Sequence, residues 1–366
     1  ATYYLRWFLV ENILLTCGRG IFRYSQVGLR LYYRLLGARI GKGVVFAPGT
    51  RLYEFDLLEI KAHTVLDDVI VRAFCIEACR MRLSPVRIGK DCSICAKVSV
   101  VPGTTVPSGA CVGPLSSTYD LMPENVAKSN RAFNTATFQQ PPWYMKMLGM
   151  PLLLMAWVFV QAPILVVLRG MCLQPWYKKE MTDYYDVLEW FVTPNRIGYY
   201  ILLRTVRCAV QPFLRLFCGI AIKRLIIGRF TPGKRARSRW NLFKHWLMAA
   251  ALPGKHLHDV GHLVGVHGEG VSIILRMLGA KVGKRVYWPG SGFQHLVEYD
   301  LLEVGDDVVF GSRSIILCCD AEDALPIKIE AGANIADRCV LLPGCLIGRN
   351  ALLGSGGLAG KGQTFP

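Results

Sequence analysis

The most regular feature of the hydrophobic pattern is a step of six residues. From Ile40 to Val112 every step lands on an apolar residue except at Thr64 and Arg82, and the step returns between 329 and 353. A helix repeats every 3.6 residues and a strand every two, so neither element alone produces this period. It predicts left-handed parallel β-helix coils, triangles with three six-residue sides that each point one apolar side chain at the axis.

The two stretches that carry this period are copies of one another. Residues 36–42 match 278–284, and 53–60, which contain Glu-x-Asp, match 297–304. The chain is therefore a tandem duplication of one unit, with lobe 1 at 36–118 and lobe 2 at 278–366. Lobe 2 carries two extra residues before its Glu-x-Asp, near Ser291, and insertions in coil proteins fall in loops that often serve binding.

Between the lobes the period is lost and long apolar segments replace it. Residues 147–168 contain no charged residue over 22 positions, which is enough to cross a hydrocarbon core of ~30 Å. A buried helix of a soluble protein is the alternative. Residues 197–227 are also apolar but carry five basic residues, so we expect them in the membrane, against other helices or at the interface. Residues 3–16 and 240–252 are shorter and predict interfacial helices.

The predicted fold is mainly β with transmembrane α-helices: two tandem left-handed parallel β-helix lobes linked by membrane helices. The predicted parts are N-terminal membrane-associated helices at 1–35, lobe 1 at 36–118, a linker at 119–142, a transmembrane helix at 143–170, a linker at 171–196, membrane or interfacial helices at 197–277, and lobe 2 at 278–366.

Composition agrees with a membrane protein and adds a charge argument. The chain is 52% hydrophobic and 19% charged, against about 25% charged in soluble domains. Its net charge of +17 predicts an anionic partner such as lipid headgroups or a phosphate-bearing arm. Nucleic acid is not expected, because no recognition motif accompanies the charge. Basic residues between 223 and 239 place that side, and the lobes, in the cytoplasm. Cysteines within apolar runs indicate a reducing compartment.

Motifs outside the period carry a family resemblance. They are Arg6-Trp7 before an apolar helix, the repeated Leu-Gly-Ala-Arg-Ile-Gly at 36–41, Gly-Pro-Leu-Ser-Ser at 113–117, Lys-Arg-Leu-Ile-Ile-Gly-Arg at 223–229, and the closing Gly-Gln-Thr-Phe-Pro. With these motifs nearly the whole chain resembles the membrane-embedded terminal region of poly-lysine-synthetase-type non-ribosomal peptide synthetases.

That resemblance implies formation of an amide bond between a carrier-bound aminoacyl thioester and a free amino acid amine. It implies adenylation and carrier domains upstream in a longer polypeptide and the phosphopantetheine arm of the carrier as the cofactor, and we expect no metal. Family members with three lobes imply a possible additional lobe or homo-oligomer. Two alternatives stay open: a membrane-associated acyltransferase that uses coenzyme A, and a non-catalytic membrane scaffold or export module.

Aminolysis of a thioester needs a base that takes the proton of the amine. His295 lies at the insertion of lobe 2, shortly before Glu298 and Asp300. We predict His295 as this base, with Glu298 or Asp300 orienting it or holding the amine. In an extended strand 295 points away from 298 and 300, so a bend is required. The alternative is an exposed histidine on a polar loop.

In lobe 1, Glu54 and Asp56 lie at the matching place, and Arg51 replaces the histidine. A permanently charged group cannot act as a base at neutral pH. We therefore predict that Arg51, Glu54 and Asp56 bind substrate, the arginine through phosphate or carboxylate. A structural salt bridge between Arg51 and Glu54 is the alternative.

A second group of histidines precedes lobe 2, and its members are His256, His258, His262 and His267, with Asp259 among them. His258 and His262 are four residues apart on a predicted helix, a spacing that can bind zinc. A catalytic base and a purely structural role are the other interpretations. Cys92 and Cys95 form a single C-x-x-C inside the coil period, which indicates a structural role.

Overall fold

In a computed structural model of the chain, the described residues are 2–17, 19, 22, 25–47, 49–78, 80–120, 141–173, 183–192, 194–234, 238–290, 292, 295–320 and 323–366. Most of the predicted 119–142 linker and part of the 171–196 linker lie outside them. So do Ser291 of the predicted insertion, and Arg235 and Arg237 of the basic segment.

Helices precede lobe 1 and fill the region between the lobes. Their bounds are α1 (Thr2–Cys17), α2 (Gln26–Leu35), α3 (Trp143–Cys172), α4 (Tyr184–Val192), α5 (Pro194–Thr205), α6 (Gln211–Ile222), α7 (Arg239–Ala251), α8 (Gly254–Val264) and α9 (Glu269–Leu278). Single π-helical turns at Val206–Val210 and Lys223–Ile227 continue α5 and α6.

Lobe 1 consists of three parallel sheets that surround one apolar core. The first sheet contains β1 (Arg39–Ile40), β4 (Leu58–Ile60), β9 (Val86–Ile88) and β12 (Thr105–Val106). The second contains β2 (Val45–Phe46), β5 (Val65–Leu66), β10 (Ser93–Ile94) and β13 (Cys111–Val112), and the third β3 (Arg51–Leu52), β6 (Ile70–Val71) and β11 (Ser99–Val100). Each strand pairs with the strand of the next coil, which is a parallel β-helix. An antiparallel hairpin, β7 (Phe74–Glu77) and β8 (Arg80–Leu83), interrupts the coils.

Lobe 2 repeats this architecture. Its sheets are β15 (Lys281–Val282), β16 (Leu302–Val304), β20 (Ile327–Ile329), β23 (Leu346–Ile347) and β26 (Thr364–Phe365); β17 (Val309–Phe310), β21 (Asn334–Ile335) and β24 (Leu352–Leu353); and β18 (Ile315–Ile316), β22 (Val340–Leu341) and β25 (Leu358–Ala359). A short antiparallel pair, β14 (Gly233–Lys234) with β19 (Asp323–Ala324), joins the segment after α6 to this lobe.

The inward positions follow the predicted step where the coils are regular. From 329 to 353 every predicted position in lobe 2 is buried, as are those of lobe 1 before 64 and after 88. The step is wrong in between, because Ile70 and Ile76 are 54% and 71% exposed and Arg82 is also exposed. A turn at 55–57 lengthens the first coil, so that Ile60 and Leu66 pair with Ile40 and Phe46. The next inward residue is Val71, five residues after Leu66, and the hairpin takes residues 74–83 out of the coil.

The repeated Leu-Gly-Ala motif ends a helix and starts the first coil. At the ends of α2 and α9, Gly37 and Gly279 adopt φ of 106° and 112°, which a side chain disfavours. The residue after each glycine donates its N–H to a carbonyl five residues back, at 3.0 Å in both lobes. Each helix thereby closes the end of the apolar core of its own lobe, and α2 contributes Leu29 and Tyr33 to it.

Among the described helices, α3 is the one that is long and apolar enough to cross a membrane, and little of it is buried. Gly149 of α3 allows close contact with Trp246 and Phe243 of α7, where an added Cβ would lie 2.8 and 3.1 Å from their rings. The side chain of Gln211, in α6, donates to that of Gln161, in α3, at 2.8 Å. The helices between the lobes therefore form one packed group around α3.

The basic end of the predicted 197–227 membrane segment is attached to lobe 2. Lys223 is almost fully buried, and its Nζ lies 2.7 Å from Oδ2 of Asp300 and 2.5 Å from the carbonyl oxygen of Gly228. The N–H of Phe230 donates to the same carboxylate oxygen at 2.9 Å. Arg224 donates to the carbonyl of Met277 at the end of α9. Protein groups, rather than lipid, satisfy these two charges of the segment.

The Lys223–Asp300 pair should contribute strongly to the attachment of the helices. We expect Lys223→Met to lower the stability of the folded chain by about 3–5 kcal/mol, because the substitution leaves Asp300 charged and without its buried cation. Thermal unfolding in detergent measures the loss. Lys281→Met, which removes the exposed pair with Glu303, is the matched control and should change stability by less than about 1 kcal/mol. Equal effects of the two substitutions would contradict the buried pair.

Candidate active site between the lobes

The two lobes contact each other through an apolar patch. Ile315 and Val340 alternate along their strands with the inward Ile316 and Leu341, so they face outwards from lobe 2. They are nevertheless buried, in a small cluster of their own that includes Leu115 of lobe 1. One outer face of lobe 2 therefore packs against the end of lobe 1.

His295 lies at this junction and contacts lobe 1. Its Nε2 is 3.2 Å from Oδ2 of Asp68, and Nζ of Lys97 is 2.5 Å from the same oxygen. The side chains of His295 and Asp68 are 17% and 10% exposed, whereas that of Lys97 is 44% exposed. The junction thus has an acid and a base in contact, partly buried, with a cation beside them.

The coil geometry explains how lobe 1 presents this acid. Asp68 and Lys97 occupy corners of successive coils with φ of 43° and 59°, and the N–H of Lys97 donates to the carbonyl of Asp68 at 3.3 Å. Gly49 lies at the corner below them, where an added Cβ would be 1.7 Å from Oδ1 of Asp68. The absence of a side chain at Gly49 therefore makes the space that the carboxylate fills.

The environment keeps Asp68 ionised. Burial acts to raise the pKa of this carboxyl, but the hydrogen bonds and charges of His295 and Lys97 outweigh it and hold the pKa below its usual value. An ionised carboxylate at Nε2 favours the tautomer with a proton on that nitrogen and stabilises an imidazolium when one forms. Nδ1 is then the ring nitrogen that can accept a proton. An acid–histidine pair of this kind can perform general base catalysis.

In the structure, the predicted partners of His295 contact other residues. Oε1 of Glu298 lies 2.6 Å from Nδ1 of His245 in α7, and Oε2 accepts from the thiol of Cys319 at 3.0 Å. Asp300 pairs with Lys223, as described above. Asp68 is the carboxylate that contacts His295, so it replaces Glu298 and Asp300 as the group that orients the ring. A role of either residue in holding the amine stays a prediction.

The residues of lobe 1 that were predicted to bind substrate also lie in different environments. Arg51 is exposed on β3 and Asp56 is exposed in the following turn. Glu54 is buried; its Oε1 accepts from the indole N–H of Trp7 at 2.8 Å and its Oε2 from the N–H of Ala73 at 2.9 Å. Burial raises the pKa of Glu54 despite these two hydrogen bonds. Glu54 joins α1 to lobe 1, and a role in substrate binding stays a prediction for Arg51 and Asp56.

The histidines before lobe 2 make three separate contacts. His256 lies 2.8 Å from Arg215, and His267 lies 2.7 Å from the carbonyl of Trp288. Nε2 of His258 is 3.0 Å from Nε2 of His262. Burial, followed by the neighbouring His262, lowers the pKa of His258, so this ring is neutral at physiological pH. Asp259 is exposed. Cys92 is buried in its coil and contacts the carbonyl of Pro107, in keeping with a structural role.

Sequence reasoning missed Asp68 and Lys97 in the first site and His245 and Cys319 around Glu298. All four depend on contacts between parts of the chain far apart in sequence, and Asp68 and His295 are separated by 227 positions. The signal that was available is the coil period, which places 49 and 97 at equivalent corners but misses 68, because the register of the coil is shifted there. It does not indicate which corner of lobe 1 faces lobe 2.

Comparisons with known proteins agree with an acyl-transfer function. The chain is similar to a "Delta-poly-L-ornithine synthetase" of Acinetobacter baumannii (strain AB307-0294), with 23% identity over 402 residues that cover all of this chain and 28% of that protein. It is also similar to a "Putative colanic acid biosynthesis acetyltransferase WcaF" of Escherichia coli (strain K12) and of Shigella flexneri. Each is 28% identical over 152 residues, covering 33% of this chain and 79% of theirs.

No protein-family model matches the chain, and no solved structure matches it. The chain spans 28% of the length of the synthetase it resembles. The relatives are described as a synthetase and as acetyltransferases, and this supports an acyltransferase-type enzyme in general terms.

The low pKa of Asp68 makes the lobe contact sensitive to acid. A carboxyl whose pKa is lower in the folded than in the unfolded chain stabilises the fold above its ordinary pKa of 3.8, and this stabilisation is lost as the pH falls through the folded pKa. We expect wild type to unfold at a higher temperature than Asp68→Asn above about pH 5, and this difference to disappear at strongly acidic pH.

Thermal unfolding at a series of pH values measures this difference. Asp91, an exposed aspartate at another corner of lobe 1, is the matched control, and Asp91→Asn should give no such pH-dependent difference. A difference between wild type and Asp68→Asn that stays constant to the lowest pH would show that the charge of Asp68 does not stabilise the contact.

Proposed function

We propose that this chain forms amide bonds by transferring an aminoacyl group from a carrier-bound thioester to a free amino acid amine, as the terminal module of a non-ribosomal peptide synthetase. The observation that carries this proposal is the pair of His295 and Asp68, which the junction of the two lobes assembles from both of them. The similarity to a poly-ornithine synthetase and to acetyltransferases supports the same class of reaction.

The chemistry assigns a step to each side chain of the junction. The amine nitrogen attacks the thioester carbon while Nδ1 of His295 takes a proton from the amine. Asp68 holds Nε2 and stabilises the resulting imidazolium, and Lys97 keeps Asp68 ionised. The carbon–sulfur bond then breaks, and the thiolate leaves and takes the proton back from His295. The products are one amide and one free thiol, and His295 returns to its starting state.

Charge and hydropathy support the proposed surroundings of this reaction. We propose that α3 crosses the bilayer and that two left-handed lobes, linked by the membrane helices, lie on its cytoplasmic side. The net charge of +17 favours an acidic carrier domain and the phosphate of its phosphopantetheine arm. The adenylation and carrier domains are proposed to lie upstream in the same polypeptide.

A second candidate function is acyl transfer from coenzyme A. The observation that favours it is the similarity to proteins described as acetyltransferases, which covers 79% of their length. Coenzyme A carries the same phosphopantetheine arm as a carrier domain, so the junction could serve either donor. The choice of donor therefore requires an experiment that offers each of them alone.

Replacement of His295 tests the catalytic proposal. The polypeptide that carries this chain is purified in detergent, its carrier domain is loaded with a radiolabelled amino acid, and the amide product is followed in a single turnover. We expect His295→Ala to lower the rate about 10²- to 10⁴-fold, because a general base contributes that range. Loading of the carrier should be unchanged. His63→Ala, at an exposed corner of lobe 1, is the control and should retain full activity.

The other outcomes assign the function differently. Product formed from acyl-coenzyme A alone, with none from the loaded carrier, would favour the second candidate. Full activity of His295→Ala with the carrier would remove the proposed base. If amide still forms after deletion of residues 1–366, the chain is a scaffold or export module.

Gly49 offers a test of Asp68 that leaves every charge in place. A methyl group at this position occupies the space of the carboxylate, so we expect Gly49→Ala to displace Asp68 from His295 and to lower the rate about tenfold or more. The same single-turnover assay measures it. Gly354→Ala is the matched control, because an added Cβ at that corner of lobe 2 meets nothing within 4 Å. Wild-type activity in Gly49→Ala would contradict the role of Asp68.

A further inference from the structure

A second buried cluster of reactive side chains lies away from the junction, where α7 packs on lobe 2. Nδ1 of His245, the carboxylate of Glu298 and Sγ of Cys319 all lie within 4.8 Å of one another. Glu298 and Cys319 are buried and His245 is largely so. The carboxylate uses one oxygen for each neighbour, at 2.6 Å from His245 and 3.0 Å from Cys319.

The duplication supplies a comparison within the same chain. In lobe 1 the equivalent Glu54 also receives a ring N–H from a preceding helix on one oxygen, from Trp7, and a second donor on the other, the backbone N–H of Ala73. Both glutamates thus connect a helix to a lobe. In lobe 2, however, the carboxylate contacts two metal-binding groups, an imidazole and a thiol. Tryptophan and a backbone N–H bind no metal.

We propose that His245, Glu298 and Cys319 form a site for a divalent cation of the zinc type, which joins α7 to lobe 2. Imidazole nitrogen, thiolate sulfur and carboxylate oxygen are the ligands that Zn²⁺ takes in proteins. Its bonds of about 2.0–2.3 Å place the ligands of a tetrahedral ion about 3.5 Å apart. The three ligand atoms lie within 4.8 Å of each other, so side-chain shifts of about 1 Å open the carboxylate contacts enough to admit the ion. A water molecule completes the coordination.

Binding of the ion exchanges it for protons that the cluster holds. The thiol of Cys319 gives its proton to solvent. The proton on Nδ1 of His245 moves to Nε2 if the ring is neutral, or is released if the ring is charged. Metal affinity therefore rises with pH, and roughly one to two protons appear per bound ion.

An ion at this site also constrains the segment that follows the insertion of lobe 2. Glu298 lies three residues after His295, so an ion at Glu298 fixes one end of the segment that carries the proposed base. The inference does not depend on the proposed function, because metal binding is measured without any reaction.

Metal titration tests the site directly. The purified protein, stripped with a chelator, is titrated with Zn²⁺ by calorimetry in two buffers of different ionisation enthalpy, and with Co²⁺ by absorption. We expect one ion per chain, proton release in the calorimetry, and for cobalt a thiolate charge-transfer band together with the intense visible bands of a tetrahedral ion. No uptake, or a cobalt spectrum without the thiolate band, would overturn the proposal.

Variants locate the ion. His245→Trp imitates lobe 1 and keeps a ring N–H for Glu298, and Cys319→Ala removes the thiol with little change in volume. We expect each to weaken Zn²⁺ binding at least tenfold and to abolish the thiolate band, while thermal unfolding without metal confirms that the chain still folds. Cys318→Ala, at the neighbouring buried cysteine, is the matched control and should keep the band.

The histidine pair of α8 is the competing location. If His262→Ala removes the ion while His245→Trp and Cys319→Ala retain it, the ion belongs to His258 and His262 and the proposal is wrong. Uptake that survives all three substitutions would equally overturn it.

Discussion

The stacking of coil corners is the constraint on which the rest of the structure depends. Each coil of lobe 1 repeats the path of the previous one, so a residue at a corner lies directly over the corner residues of its neighbours. This register places Gly49, Asp68 and Lys97 in one column, with the glycine leaving space for the carboxylate and the lysine holding its charge. The packing of Leu115 against lobe 2 then brings the column to His295. A rigid coil on each side fixes the geometry of a pair that neither lobe contains alone.

The six-residue period and the duplication predicted much of the fold. Parallel strands in both repeats, the inward positions of the regular coils and a helix long and apolar enough to cross a membrane agree with the prediction, because each depends on local spacing. The step failed between 64 and 88, because the turn at 55–57 shifts the register before this stretch and a hairpin leaves the coil within it, without any change in apolar content. His295 could be singled out as a titratable side chain at an insertion. Its partner could not, because alternation along a strand says nothing about which corner of another lobe lies opposite.

The contacts of the two Glu-x-Asp motifs also differ from those predicted. Their position suggested a catalytic role in lobe 2 and substrate binding in lobe 1. In the structure, however, Glu54, Glu298 and Asp300 connect the lobes to helices through Trp7, His245 and Lys223. A buried carboxylate needs hydrogen-bond donors or a cation, and the helices supply them. The motif is therefore repeated because each lobe has to hold its own helices. The difference between Trp7 and His245 shows how one copy can acquire a chemistry that the other lacks.

The junction between the lobes joins unlike surfaces. Lobe 1 offers Leu115 and Asp68, whereas lobe 2 offers His295 and the outer face around Ile315 and Val340. A twofold contact uses the same surface on both partners, whereas a head-to-tail contact uses a different surface on each. An open row of lobes then contains one junction fewer than it has lobes, whereas a ring contains as many junctions as lobes. With two lobes in a row, the part of the chain that the structure describes contains one such junction, and with it one acid–histidine pair that spans two lobes.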